Sequence, residues 1–512
     1  MFRYTAYIIL FTALCLCPSN VEAEAVDSIT HSVMTHSLRN EVYRRTMETP
    51  MSVRLLPRSS FGHTTLAYQY ASGELIKVQM PEQFRDVSLT SIGLYSAERW
   101  QVYGEFAYHR TFSDSVQWLL SEKPRDGMPY YFASPQKGNW ETEIYDINGN
   151  FNIDLFLSFV VGASASIHYF KGTRSNDPRP SAESFRSHYY LYAGLRLPKL
   201  SLTVEGGWGY GTRDNNIAYR NTDNDRPIRL DKMAYEFMGF GINRKTQKFQ
   251  NRDLEANLYA QHIGVQLESR LSNTMTVWGR LAYDRQQDSI RRSRTTNVDR
   301  SLLSTYTVHK TSLALGSTWS PCGKIKWGSF FFLYQAKGFD KLNNILQGQK
   351  NYVYNHTDLG LRTWMNVKHN PRRTDCYGIT LNRLSERRAD GSSEHLFRIN
   401  STEASIMWGQ QRVVRSSYRI SYHLRQGLEV PRSTLTYPDS QINIFTTDVA
   451  VPLSHYYHTD RGYTNLHAVI GKQFGTSLLY LSFDYNILYL LGNSPYLKGA
   501  RNTFTSALTL SF

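Results

Sequence analysis

Beyond Cys17 the chain has no apolar run approaching the roughly 18 residues that carry a helix through a bilayer, which excludes a helical membrane protein. Cysteine is scarce. Of four in 512 residues, Cys15 and Cys17 lie in the one apolar run, near the start, so a disulfide-stapled fold is excluded. Cys322 and Cys376 remain, each beside a predicted short turn, in hairpins expected to be neighbours. Two strand spacings, roughly 10 Å, exceed the usual Cα separation of a disulfide, so two unpaired thiols are expected, with a bridge as the alternative. A Gly-rich phosphate loop, a metal-ligand cluster and a blade-length repeat near 40 residues are all missing, which removes the nucleotide-binding, metalloenzyme and propeller classes. Acidic residues are the minority, 43 against 58 Lys and Arg, for a net charge of +15.

What is present begins with an export signal. Arg3 precedes the apolar run Tyr7 to Cys17, then Pro18, then Val21-Glu22-Ala23 and Ala23-Glu24-Ala25. These are the parts of a secretory signal peptide over residues 1–25, cleaved after Ala23 or Ala25. Leu14 and Leu16 are too bulky before Cys15 and Cys17 for a lipoprotein signal. A basic excess often marks a nucleic-acid binder, but an exported protein rarely meets nucleic acid. Lipid phosphates and anionic solutes are the expected partners.

The rest of the chain alternates. In Ala500 to Phe512, Phe504, Leu508, Leu510 and Phe512 share one strand face, with Ser506 the one lapse, while Thr503, Thr505, Ala507, Thr509 and Ser511 share the other. Leu200 to Tyr210 places Leu200, Leu202, Val204, Trp208 and Tyr210 outward and Ser201, Thr203 and Glu205 inward. Met275, Val277, Leu281 and Tyr283 oppose Thr276, Arg280 and Asp284, and Leu479 to Leu491 behaves alike. One face stays uncharged for about 10 residues in strands of roughly 10–14, longer than a soluble sheet uses. Only every second residue of a barrel strand meets lipid, so a chain that is 41% hydrophobic can still cross a membrane.

Tight turns are predicted near 97–99, 153–154, 198–199, 272–273, 321–323, 370–373, 409–411 and 475–476. Long polar intervals are predicted near 112–139, 172–186, 212–252, 286–303, 337–350, 386–393, 426–462 and 491–499. This asymmetry is that of short periplasmic turns and long extracellular loops. The expected fold is all-β: a single-chain antiparallel transmembrane barrel over 61–512 of about 18 strands, sixteen if one weak segment is a loop. Residues 26–60 precede it as an N-terminal periplasmic segment or a small plug, with a short helix between His31 and Met47 from the spacing of Met34, Leu38 and Val42.

Function is written more faintly. Along Arg412 to Arg425 an apolar face leaves Arg415, Arg419, His423 and Arg425 on the opposite row, a basic ladder that would concentrate anions in the lumen. The bland alternative pairs these groups with Glu403, Asp358 or Asp484. Two basic loop clusters, Arg244, Lys245 and Lys248, then Arg291, Arg292 and Arg294, are expected to contact lipopolysaccharide phosphates or plain solvent. His356 with Asp358, or His423 with Ser421 and Ser417, are the candidates for a base with its partner, but same-face spacing is not a triad and none sits in a recognisable motif. No enzyme activity, cofactor or metal is expected.

The last strand, with its terminal aromatic, resembles the closing strand of Gram-negative outer-membrane barrels, in which the assembly machinery reads a C-terminal Phe; here that residue is Phe512. Together with the signal peptide, the paired strands, and Asp126-Gly127-Met128-Pro129-Tyr130-Tyr131 followed by Trp140-Glu141-Thr142-Glu143, it resembles an uncharacterised family of such barrels, a domain of unknown function. The resemblance implies the bacterial outer membrane and supplies no active residue. Two functions follow. One is a passage or uptake barrel for small, anionic solutes, working with a surface lipoprotein or energy-coupled receptor. The other is a structural or docking barrel for surface or secretion partners, with an occluded lumen and ordered loops at 212–252 and 426–462.

Overall fold

A computed structural model describes residues 60–512 except 156–157, 227, 246–252, 293–300, 344–349 and 416. The signal peptide and the expected helix between His31 and Met47 lie outside the described residues. In chain order the strands are β1 (Phe61–Gly73), β2 (Gln83–Ser96), β3 (Trp100–Val116), β4 (Tyr130–Ala133), β5 (Gly138–Asp154), β6 (Phe159–Arg174) and β7 (Arg179–Arg196). They continue as β8 (Leu200–Ala218), β9 (Tyr235–Met238), β10 (Asn243–Lys245), β11 (Asp253–Ser272), β12 (Met275–Arg292), β13 (Ser301–Cys322) and β14 (Ile325–Leu342). The last are β15 (Tyr352–Asn370), β16 (Arg373–Asp390), β17 (His395–Arg415), β18 (Tyr418–Thr436), β19 (Arg461–Phe474), β20 (Ser477–Leu490) and β21 (Ala500–Ser511).

All but β4, β9 and β10 form one 18-stranded antiparallel sheet, and β21 pairs with β1 to close it. Closure removes every open edge, the condition for β structure to survive in hydrocarbon. The alternation predicted from sequence is the alternation of burial: Leu202, Val204, Trp208, Leu281, Phe483 and Leu508 are exposed on the outer face, while Thr203, Glu205 and Ala282 are buried on the inner one. Exposed Trp100, Trp319, Trp327 and Tyr418 stand near strand ends, where aromatic rings sit at the headgroups, whereas exposed Trp208 falls mid-strand because β8 runs on to Ala218. At the seam Gly62 and Phe512 exchange both backbone hydrogen bonds (2.8 and 3.0 Å), and a hydrogen bond of 2.8 Å joins the Thr65 and Thr509 hydroxyls.

Several boundaries differ from the sequence reading. Barrel strands run from 12 to 22 residues, because hairpins continue as paired ribbon above the outer membrane edge. The expected loop 172–186 shrinks to 175–178, since Thr173 and Ser181 still pair across the hairpin. No turn occurs at 409–411. There β17 stays paired to β16 through Arg412 and to β18 through Arg415, which lies opposite Tyr418. Polar Gln410 and Gln411 imitate a turn, but the ladder on both sides holds them extended. Cys322 and Cys376 are free; they lie on β13 and β16, so three spacings separate their strands rather than two.

Candidate functional site

Three extracellular connections fold inward and share one apolar core at the mouth. Residues 117–137 carry β4, which joins β9 and β10 of the 219–252 connection in a small antiparallel sheet. The 437–460 connection includes a short helix, α1 (Val451–Tyr456), preceded by a wide helical turn over 446–450. Phe445 meets Phe237 and Phe240 edge-on, each at 5.0 Å, and Phe240 stacks on Phe397 of β17. Trp118, Leu120, Phe132, Ala234 and Phe237 complete this core with Tyr306 and Tyr352 of the wall. A fully buried Phe of this kind contributes about 2 kcal/mol.

Residues 117–129 run through the lumen as a hairpin-like bar, and its Trp118, Leu120 and Met128 belong to that core. Trp118 and Leu120 donate backbone hydrogen bonds to Ser134 and Phe132 (2.7 and 2.8 Å), and Met128 donates to the Arg125 carbonyl (3.0 Å), closing a turn at Asp126-Gly127. Both turn residues have positive φ, +51° and +69°. This is the geometry that Asp-Gly favours, since each tolerates a left-handed backbone.

One end of the crossbar is held by β13 and β15. Tyr306 donates its hydroxyl to the Asp126 carbonyl (2.7 Å), Tyr352 donates to the Gly127 carbonyl (2.8 Å), and Lys310 pairs with the Asp126 carboxylate at 2.7 Å. A Cβ on Gly127 would lie 2.4 Å from the Tyr354 ring, so only glycine fits. The other end is held by β6 and β7. Glu122 takes Arg186 at 2.5 Å and the Ser184 hydroxyl at 2.6 Å, with Arg125 and His168 at 3.4 and 3.5 Å. Burial works against that carboxylate, but the His168 hydrogen bond and the Arg186 charge hold it well below the ordinary range. Gln79 and Asn215 donate to the Trp118 and Leu120 carbonyls. The small sheet is fastened separately: Arg292 holds Glu236 at 2.7 Å.

A turn on the rim shows the same economy of partners. Asp177, between β6 and β7, accepts from the backbone of Arg220 and Asn221 and from Asn224 and Arg179 at 2.9–3.0 Å, tying the start of the 219–252 connection down. Burial alone would raise its pKa, yet these donors lower it from 3.8 to about 2. A depressed carboxylate pKa stabilises the fold above the ordinary value, and that contribution is lost as pH falls from 3.8 towards 2. Amide exchange at 220–224, corrected for its intrinsic pH dependence, should accelerate in that window, and Asp177→Asn should abolish the effect; a pH-independent rate would refute the assignment.

The residues singled out in the sequence are divided by the structure. Arg419, His423 and Arg425 share the inward face of β18, with the first two buried. Arg415 does not continue their ladder, because it ends β17 opposite Tyr418, on the far side of the reversal. Arg425 donates to the Ser405 and Thr380 hydroxyls (3.0 and 3.1 Å), and His423 stacks on His467 at 4.6 Å. Of the carboxylates expected as partners, Glu403 takes Asn382 and Tyr463, whereas Asp484 takes Asn465 and His467 and is close enough to His423 to interact with it electrostatically. Of the six loop cations, Arg244 and Lys245 lie in β10 within the mouth, Lys248 and Arg294 fall outside the described residues, and Arg291 and Arg292 end β12. Arg292 faces Glu236, not lipid, because the inserted sheet brings that carboxylate to it. His356 lies 3.4 Å from Glu386. Among the described residues no group of three or more His, Cys, Asp or Glu could hold a metal ion.

The crossbar residues Glu122, Asp126, Lys310, Tyr306 and Tyr352 had no distinctive local pattern apart from Asp-Gly. One family profile matches residues 50–512, taking in every strand and the crossbar. The chain belongs to that family of unknown function (DUF6850). No curated protein matches it. Among solved structures it is similar to the ferric preacinetobactin receptor BauA of Acinetobacter baumannii, at 9% identity and a TM-score of 0.43, over 88% of this chain and 80% of that one. It is also similar to the Escherichia coli outer-membrane transporter YddB (7%, 0.40, over 88% and 80%) and the Pseudomonas putida toluene transporter TodX (8%, 0.31, over 91% and 92%). Likeness of this degree carries no argument about activity. Location rests on the closed sheet and its apolar outer belt, which belong in the outer membrane of a Gram-negative bacterium.

Proposed function

We propose that the protein is a passage barrel for small polar solutes, shut in this state by its own crossbar. The observation that carries this reading is a contrast between two walls. On β20, β21 and β1 the inward rows are short and half-exposed: Ser482, Asp484, Thr503, Thr505, Ala507, Thr509, Thr65, Ala67 and Gln69. Such a wall leaves room for water along the lumen. Across the rest of the lumen the crossbar is fastened by ion pairs and hydroxyl-to-carbonyl hydrogen bonds, polar contacts that water or a polar solute can take over when the bar withdraws.

The shared apolar core at the mouth favours a second reading, a docking barrel whose ordered loops form a platform. Planar-bilayer conductance separates the two. The full chain should show little current, and replacement of 119–128 by a short Gly-Ser linker should raise it by about tenfold or more, the factor expected when a gate worth at least 1.4 kcal/mol is removed. A variant that assembles and stays silent would leave the docking reading.

A further inference from the structure

The Glu122 end of the crossbar is a filled anion site. Its carboxylate is surrounded by the Arg186 guanidinium, the Ser184 hydroxyl and the His168 imidazole, all from β6 and β7, and by Arg125 of the crossbar itself. The strand register brings the wall groups together on one side of the lumen. Arg186 and Ser184 sit two residues apart on one face of β7, and His168 stands directly across from Arg186 in the register, held at 2.6 Å by Asp146. Arg213 of β8 pairs in register with Ser184, adding a second guanidinium beside the first. The site is also not saturated: the Arg186 Nε and the Arg213 Nη2 are buried and have no hydrogen-bond partner. A guanidinium presents Nε and Nη2 as a fork matched to the two oxygens of a carboxylate, and Glu122 fills only half of the Arg186 fork.

His168 keeps Asp146 and Arg213 keeps Asp288 beside it, but withdrawal of the crossbar would leave the Arg186 guanidinium buried without its counter-charge, a costly state unless another anion enters. We propose that β6, β7 and β8 form a luminal carboxylate-binding site, occupied here by Glu122 as a built-in stand-in, and that an acidic solute takes this place when the crossbar leaves. This rests on the passage reading and gives it a substrate class, small carboxylates. It moves the anion site away from the β18 ladder, to a wall that no single stretch of sequence marks.

The test is acetate binding to the full-length protein in detergent, measured by calorimetry against chloride at equal ionic strength. Glu122→Ala should bind acetate at least about tenfold more tightly than the unaltered protein, whose site is taken, and adding Arg186→Met should remove the gain. Equal acetate affinity in Glu122→Ala and the unaltered protein, or a gain indifferent to Arg186, overturns the proposal. If Glu122→Ala fails to assemble, the barrel lacking 119–128 exposes the same wall and must bind acetate through Arg186; its failure to do so is equally decisive. A crossbar-deleted barrel that conducts but ignores acetate sinks this site alone, whereas one that binds acetate through Arg186 but passes no ions supports the site and sinks the passage reading.

Discussion

Gly127→Val should open the barrel more than any other single substitution in the crossbar. The new side chain would begin with a Cβ 2.4 Å from the Tyr354 ring and would require a β-branched residue at φ +69°. Forcing a non-glycine residue into a sparsely populated backbone region costs on the order of 1–3 kcal/mol before the clash is counted. The turn tip must therefore leave Tyr306, Tyr352 and Lys310 together. If the crossbar then disengages, the open fraction should rise by about tenfold to a hundredfold, the factors corresponding to 1.4 and 2.8 kcal/mol. Asp126→Ala is a milder probe. It removes the half-exposed pair with Lys310 but leaves both tyrosine hydrogen bonds, which go to backbone carbonyls, so its effect should be a fewfold. Conductance, or entry of a bulky antibiotic into cells carrying each variant, orders the two. The reverse order, or no change for Gly127→Val in a folded barrel, would show that the crossbar is not the gate.

Gly62→Val should act on assembly instead. Gly62 exchanges both backbone hydrogen bonds with Phe512, and a Cβ there would lie 2.4 Å from the Phe512 ring. One edge of the ring packs against the glycine at the seam where β1 and β21 close the sheet. With Val the ring must swing away or the terminal pair must part, exposing strand edges that have no partner in hydrocarbon. Folded barrel in the outer membrane should fall by about tenfold, a shift of some 1.4 kcal/mol in closure. It is read from the heat-dependent mobility of membrane fractions. Gly279, whose Cβ would meet the flexible end of Leu315 at 3.0 Å and the Ala314 carbonyl oxygen at 3.8 Å, is the control on another strand, and Gly279→Ala should leave the yield nearly unchanged. Equal yields for Gly62→Val and the unaltered protein would show that the seam tolerates the side chain.

The two experiments divide the molecule as its chemistry does. Closure depends on backbone pairing along the wall, and occlusion depends on side chains that reach across the lumen. A variant that assembles normally and leaks, and one that assembles poorly, should therefore be separable sets.

The sequence by itself determined the wall. Leu202, Val204 and Trp208 against Thr203 and Glu205 repeat every two residues, and a period of two is a local property that a strand expresses wherever it is placed. Counting such segments gave the 18 strands, their inward and outward faces and the closing role of the last one. It erred where the local signal was ambiguous, at 172–186 and 409–411, because polar residues extend a ladder as readily as they end it once both neighbouring strands are in place. The basic row loses one member for the same reason: Arg415 and Arg419 are four residues apart in sequence but belong to different strands, while Arg419, His423 and Arg425 share one face of β18. The crossbar was decided by tertiary structure alone. Asp126-Gly127 announces a turn, but not which way it points, and Tyr306, which receives it, is 180 residues away. Contacts of that separation depend on the closed barrel bringing β6, β7, β13 and β15 within one side chain's reach of the same loop. Lys310, Arg186 and Glu122 look like any surface charges until the sheet closes around them.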